Sequence, residues 1–183
     1  MSFFERWAGL LGVGFALTLM VVGGYVFFGG EDYEARDIRG RTPLIVAAEE
    51  GHASRVAELL AHGVQLDAVD DCRWTAMMRA ASSGHVDIVR TLLERGSAID
   101  HRDKSGYTAV LAAVINNRPE VLALLLEYGA DADVQENDTG NTALMWAARA
   151  GNDQLQRMLI AAGADTTLRN KAGETLVDIE REQ

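Results

Sequence analysis

The chain has 183 residues, 48% of them hydrophobic, and its 27 Asp and Glu against 17 Lys and Arg give a formal net charge of −10 at pH 7. So acidic a chain repels phosphate backbones, which argues against a nucleic-acid partner. Its single cysteine, Cys72, excludes an intramolecular disulfide and leaves no C-x-x-C metal spacing.

Hydrophobicity is unevenly spread along the chain. After a tail of residues 1–6, Trp7 to Phe28 form 22 consecutive residues without a charge. As a helix that run spans about 33 Å, enough for a bilayer core of about 30 Å. Phe3, Phe4 and Trp7 at one end and Tyr25, Phe27 and Phe28 at the other suit two interfacial belts. The run exceeds the apolar core of a cleavable signal, and Val22-Gly23-Gly24 is a poor cleavage site, so an uncleaved anchor helix over 7–28 is predicted. Ala8, Gly12, Ala16 and Gly24 would share one face of that helix, a small-residue pattern that lets transmembrane helices approach. Arg6 favours a cytoplasmic N-terminus, whereas Arg36, Arg39 and Arg41 argue the reverse. Because long domains translocate largely regardless of charge, the remainder is placed on the extracytoplasmic side, the periplasm in a Gram-negative source, with the cytoplasm as the alternative.

Residues 29–36 read as a short acidic linker, and 37–183 as a domain with 15 Lys and Arg against 23 Asp and Glu, a net −8. Within it T-P-L-I-V-A-A-E-E-G (Thr42 to Gly51) recurs as T-A-M-M-R-A-A-S-S-G (Thr75 to Gly84), T-A-V-L-A-A-V-I-N-N (Thr108 to Asn117) and T-A-L-M-W-A-A-R-A-G (Thr142 to Gly151). A fifth threonine, Thr175, continues the series, so the intervals are 33, 33, 34 and 33. Self-similarity at that period is the signature of a solenoid. The predicted units are 38–70, 71–103, 104–137 and 138–170, with a polar half-unit cap over 171–183.

Gly40, Gly106, Gly140 and Gly173 stand two residues before the threonines, where a tight turn needs a residue free of Cβ; repeat 2 carries Arg73 there. A short alanine-rich helix follows each threonine and ends at Gly51, Gly84, Asn117 or Gly151. A second helix is marked by Val56, Leu59 and Leu60, by Val89, Leu92 and Leu93, by Leu122, Leu125 and Leu126, and by Leu155, Leu159 and Ile160. Gly63, Gly96, Gly129 and Gly163 close it. The interval from Gly129 to Thr142 is one residue longer than its counterparts, so Val134 to Gly140 should form a bulged finger. Its D-A-D-V-Q-E start is not a calcium loop, because Glu136 occupies the place of the required glycine.

Turn, short helix, turn, longer helix and polar hairpin, with the copies above close to a T-P-L-H-x-A-A core, resemble the ankyrin repeat family over about 37–183. The family's histidine is replaced by Ile45, Met78, Leu111 and Met145, so apolar contact is expected where the family makes hydrogen bonds between repeats. The resemblance implies an all-α repeat solenoid and a module whose concave surface binds a partner protein. In the family's register the residue before each threonine lies at a hairpin tip, here Arg41, Trp74, Tyr107 and Asn141. The fourth residue after it lies on the inner helix, here Val46, Arg79, Ala112 and Trp146. Large aromatics and arginine dominate binding energies, and nothing in the repeat's own packing calls for Trp74 at a tip. The candidate strip is therefore Trp74, Arg79, Tyr107 and Trp146, flanked by Ser82, Ser83, Asn116, Asn141 and Arg149.

Nine hairpin acids, Asp67, Asp70, Asp71, Asp100, Asp103, Asp131, Asp133, Glu136 and Asp138, admit two readings: turn capping, or recruitment of a cationic partner surface. His52 and His85 follow a helix-ending glycine and read as loop residues; His62 and His101 are isolated. No glycine-rich phosphate loop, G-x-S-x-G element, metal-ligand set or cofactor motif is present, so neither an enzyme nor a small-molecule substrate is expected. Beside the tethered protein-binding module stands a second possibility, a structural subunit of a membrane complex recognised through its transmembrane helix.

Overall fold

The computed structural model describes residues 19–22, 25–28 and 32–181. They fall into two compact units divided between Asp32 and Tyr33. In the first, β1 (Leu19–Val22) and β2 (Tyr25–Phe28) pair antiparallel, with Leu19 opposite Phe28 and Val22 opposite Tyr25. This corrects the expectation of one continuous helix over 7–28. Val21, Val22, Tyr25, Val26, Phe27 and Phe28 are β-branched or aromatic, and the sequence between them, Gly23-Gly24, is a pair that two-residue hairpin turns favour. Ala8, Gly12, Ala16 and Gly24 lie outside the described residues, and no helix among the described residues is long and apolar enough to cross a membrane.

The second unit consists of helix pairs. The inner helices are α1 (Pro43–Glu50), α3 (Ala76–Ser83), α5 (Ala109–Ile115) and α7 (Ala143–Arg149). Their outer partners are α2 (Ala53–Ala61), α4 (Val86–Glu94), α6 (Pro119–Glu127) and α8 (Asp153–Ala161). A final inner helix, α9 (Leu176–Glu180), packs on α7. Each inner helix packs on the next inner helix and each outer helix on the next outer one, the contact pattern of a solenoid.

The recurring threonines start the inner helices because their hydroxyls accept an otherwise unpaired N–H of the first turn. Thr42 accepts from Ile45, Thr75 from Met78, Thr108 from Leu111 and Thr142 from Met145, at 3.3–3.4 Å. Thr175 instead shares a capping box with Asp178. The residues standing in for the family's histidine, Ile45, Met78, Leu111 and Met145, are at most 2% exposed and belong to one continuous apolar core. Alanines at Ala47-Ala48, Ala80-Ala81 and Ala147-Ala148 are buried between inner helices, where larger side chains would hold the backbones apart. The apolar face of the outer helices fades toward the C-terminus: Leu60 and Leu93 are buried, Leu126 is half-buried and Ile160 is 47% exposed. No outer helix follows α8 among the described residues, so Ile160, expected in the core, lacks a cover.

Successive repeats are knit at both ends of the inner helices. His85 meets the Glu49 carbonyl at 3.1 Å, and Arg118 Nε donates to the Ser82 carbonyl at 3.0 Å. A Cβ on Gly51 would come within 2.5 Å of the His85 ring, so this glycine answers a close approach as well as its positive φ. The hairpins are joined by one backbone bond per step: Asp71 N–H to Arg39, Lys104 to Cys72, Asn137 to Ser105 and Lys171 to Thr139. Tyr33 to Arg36, assigned to the linker from sequence, are bonded into this unit. Tyr33 stacks on His62 with ring centroids 4.2 Å apart, and Arg36 donates to the carbonyls of Gly40 and Val69.

Where the other turns carry glycine, Arg73 adopts φ +68°. A left-handed backbone costs a residue with a Cβ about 1–2 kcal/mol, of which the extra chain entropy of glycine takes back about half. Arg73→Gly is therefore expected to raise the unfolding free energy by about 0.5–1 kcal/mol, read as a higher urea midpoint at unchanged slope. A lower midpoint would mean that the Arg73 side chain makes contacts that outweigh its backbone strain.

Candidate partner-binding face

A column of acceptors shapes the hairpin tips. Asp37 Oδ1 accepts from the N–H of Arg39 and Arg41, Asp70 Oδ1 from Cys72 and Trp74, Asp103 Oδ1 from Ser105 and Tyr107, and Asn170 Oδ1 from Ala172 and Glu174, all at 2.8–3.0 Å. In the finger the acceptor is Glu136, 2% exposed, which takes the N–H groups of Asp138, Thr139 and Asn141 and the Thr139 hydroxyl. Burial alone would raise its pKa, but the hydrogen bonds from Thr139, Asn141 and Asp138 lower it overall. At the opposite end of the hairpins Asp67 accepts from Ser97 and Ala98, Asp100 from Asp131, Asp131 from Asp133, and Asp133 from Asp165. Seven of the nine acids considered from sequence (Asp67, Asp70, Asp100, Asp103, Asp131, Asp133 and Glu136) thus accept backbone N–H groups, which favours turn capping over recruitment of a cation.

In Asp37, Asp70 and Asp103 the second carboxylate oxygen accepts from a side chain. Asp37 Oδ2 accepts from Arg41 Nε at 2.7 Å, and this partner holds the Asp37 carboxyl down to about 2. Asp70 Oδ2 accepts from Arg79 Nε at 3.2 Å and also from a terminal guanidinium nitrogen. Glu49, on α1, lies between Arg41, Arg39 at 3.3 Å and Arg79 at 3.6 Å. Asp103 Oδ2 accepts from the Trp74 indole at 2.7 Å, and the Arg79 guanidinium lies over the Trp74 ring, 4.6 Å from its centroid. Trp74 therefore does have a packing role, contrary to the expectation from sequence: it ties its own hairpin tip to the next one, whose turn Asp103 caps. Tyr107 is half-buried; burial and the carboxylates of Glu136, Asp138 and Asp103 raise its hydroxyl pKa.

A second cluster surrounds Trp146, which is half-buried against the core. Trp146 and Arg149 line two clefts. One, of about 660 Å³, adds the polar side chains of Thr139, Asn141, Asn170, Lys171 and Glu174; the other, of about 270 Å³, adds Val114, Ile115 and Ala150. Arg149 pairs with Glu174 at 2.5 Å. The Trp146 indole N–H is buried and meets no acceptor among the described residues, unlike that of Trp74.

The sequence-derived candidates thus separate into Trp74 with Arg79 and Trp146 with Arg149, with Tyr107 on the hairpin of the intervening repeat. Ser82 and Ser83 are half-buried and Asn116 is exposed, its amide donating to the Ala112 carbonyl at 2.8 Å. Asn141 departs from its expected place as a contact residue: it is 2% exposed and bonded to Asn170 at 2.9 Å. Ala112 is likewise buried. Sequence reasoning missed Glu49, Glu174 and, of the tip acceptors, Asp37 and Asn170. The last two had a signal, since Asp37, Asp70, Asp103 and Asn170 each stand five residues before a threonine and Glu136 six.

The family model for ankyrin repeats (3 copies) matches residues 18–103 and again 95–170. Among curated proteins none matches the chain.

Proposed function

Because the chain belongs to the ankyrin repeat family, whose repeats mediate protein–protein interaction, we propose that it is a membrane-tethered scaffold holding a partner protein against its inner helices and hairpin tips. The observation that carries this reading is the pair of aromatic-arginine clusters, Trp74 with Arg79 and Trp146 with Arg149, on the inner helices and their hairpins. Partly buried aromatics and arginines are the side chains that most often anchor an interface. Since Trp74 also couples neighbouring hairpin tips, its substitution perturbs stability together with binding, and crosslinking is the cleaner test. With a photo-crosslinking residue placed in the full chain, the same partner should be captured from Asn116 and Ser83 and not from Glu94 on α4. Capture from Glu94 alone would place the partner on the outer helices and sink the proposal.

The tether we propose is the uncharged run from Trp7 to Phe28, supported by its apolar and aromatic composition, whatever the backbone it adopts. The repeats then lie on the extracytoplasmic face. Cys72 is exposed on its hairpin, so a membrane-impermeant thiol reagent should label it in intact cells; labelling only after lysis would put the repeats on the cytoplasmic side.

A further inference from the structure

On the inner face as partner site, the two clefts that share Trp146 point to the chemistry of what binds there. The smaller one is walled by Val114, Ile115, Trp146 and Ala150 with Arg149 at its side, and at about 270 Å³ it has room for an aliphatic side chain. Ile115 is 45% exposed and turns apolar surface toward solvent beside it. The larger one carries Arg149 and Lys171 against one acid, Glu174, and Arg149 already pairs with that acid. Lys171 donates to the neutral carbonyl of Asn137 and forms no ion pair with a carboxylate among the described residues. In a domain of net −8 this cleft therefore holds an uncompensated positive charge. The charges beside Trp74 differ, since Arg39, Arg41 and Arg79 are met there by Asp37, Glu49 and Asp70. Between the two clefts stands the Trp146 indole, with a buried N–H that bonds nothing among the described residues. An unpaired buried donor costs free energy comparable to a lost hydrogen bond, and such groups in native folds call for an explanation.

We propose that this subsite takes an extended segment of the partner protein in which an aliphatic side chain is followed by an acidic one. The aliphatic group fills the cleft of Val114, Ile115 and Ala150, and the carboxylate lies by Lys171 and Arg149. The indole of Trp146 turns to donate its N–H to the segment. This assignment rests on the inner-face reading above and replaces a cationic partner with an acidic one, because seven of the nine hairpin carboxylates already accept N–H groups of their own or the following turn.

The test uses the full chain in detergent micelles with ¹⁵N-labelled indoles, and as probe the blocked peptide Gly-Ser-Leu-Glu-Ser-Gly. The probe should bind saturably and shift the Trp146 indole resonance, identified by its loss in Trp146→Phe, while leaving that of Trp74 in place. Versions with Ala for Leu or Lys for Glu should bind about tenfold more weakly. Trp146→Phe, which keeps one aromatic six-membered ring and removes the N–H together with the five-membered one, should weaken the probe about fivefold. Lys171→Glu alters an exposed side chain and should reverse the preference, favouring the Leu-Lys peptide. Equal binding of the Leu-Glu and Leu-Lys peptides, undiminished binding to Trp146→Phe, or no saturable binding would each overturn the assignment. If the natural partner still crosslinks from Asn116 and Ser83 in that event, the inner-face reading stands and only the subsite chemistry fails. Capture from Glu94 alone removes both.

Discussion

Leu92→Ala and Leu125→Ala are each expected to lower the unfolding free energy of the repeat unit by about 2–5 kcal/mol. Both side chains are 0% exposed and occupy the same place in successive outer helices, a place also filled by Leu59 and Leu159. Truncation there removes apolar contact with the repeat's own inner helix and with neighbouring outer helices, and so leaves a cavity at a junction rather than at a free surface. From sequence Leu159, near the end of the stack, is expected to be cheaper to truncate. Yet Leu159 is as buried as the central leucines, held by α6 and α7 although no outer helix follows among the described residues, and its truncation belongs in the same range. Urea denaturation followed by far-ultraviolet circular dichroism would measure all three. Losses below about 1 kcal/mol at every site would contradict a core shared between repeats.

The solenoid was legible because each of its parts has a local cause that survives in the alphabet. A threonine caps a helix wherever it stands, a glycine takes a positive φ wherever the chain must turn, and a period of 33 brings both back in register. Val56, Leu59, Val89 and Leu92 announce a buried face through their spacing. Over 19–28 the same reasoning failed because an uncharged run satisfies a helix and a hairpin equally well in composition. The choice between them rests on Gly23-Gly24 and on the β-branched and aromatic residues at its sides. In the partner face the limit was different. Residue type shows that Trp74 and Arg79 are able to anchor an interface, but not that the acid capping the next hairpin tip, Asp103, already accepts from the Trp74 indole. Such pairings join residues about thirty positions apart, and one sequence carries no local trace of them.

Glu136→Asp is expected to destabilise the finger by about 1–3 kcal/mol, and Glu136→Ala by roughly 3 kcal/mol, because either leaves N–H groups of a buried turn without an acceptor. In the other repeats Asp or Asn bridges from its own position to the N–H groups two and four residues on. Here the turn holds one residue more, and the last N–H, that of Asn141, lies five residues on. One additional methylene lets Glu136 reach it, so the inserted residue and the longer acceptor form a matched pair. The match fixes a compensating change. Deleting Asp138 moves Thr139 to the second place after the acceptor, where Arg39, Cys72 and Ser105 stand with carbonyls that accept from the next hairpin, as Thr139 does from Lys171. Glu136→Asp combined with that deletion should therefore recover most of the stability lost by Glu136→Asp alone, a coupling read by a double-mutant cycle in urea. Strictly additive losses would refute the pairing. The carboxylate also carries a pH signature. Its folded pKa lies below the ordinary value of 4.5, so its contribution is present above that value and disappears as pH falls through the lower folded one. Stability should then drop less steeply below pH 4.5 in Glu136→Gln than in the parent chain, and parallel pH profiles would show that Glu136 does not hold the turn as an anion.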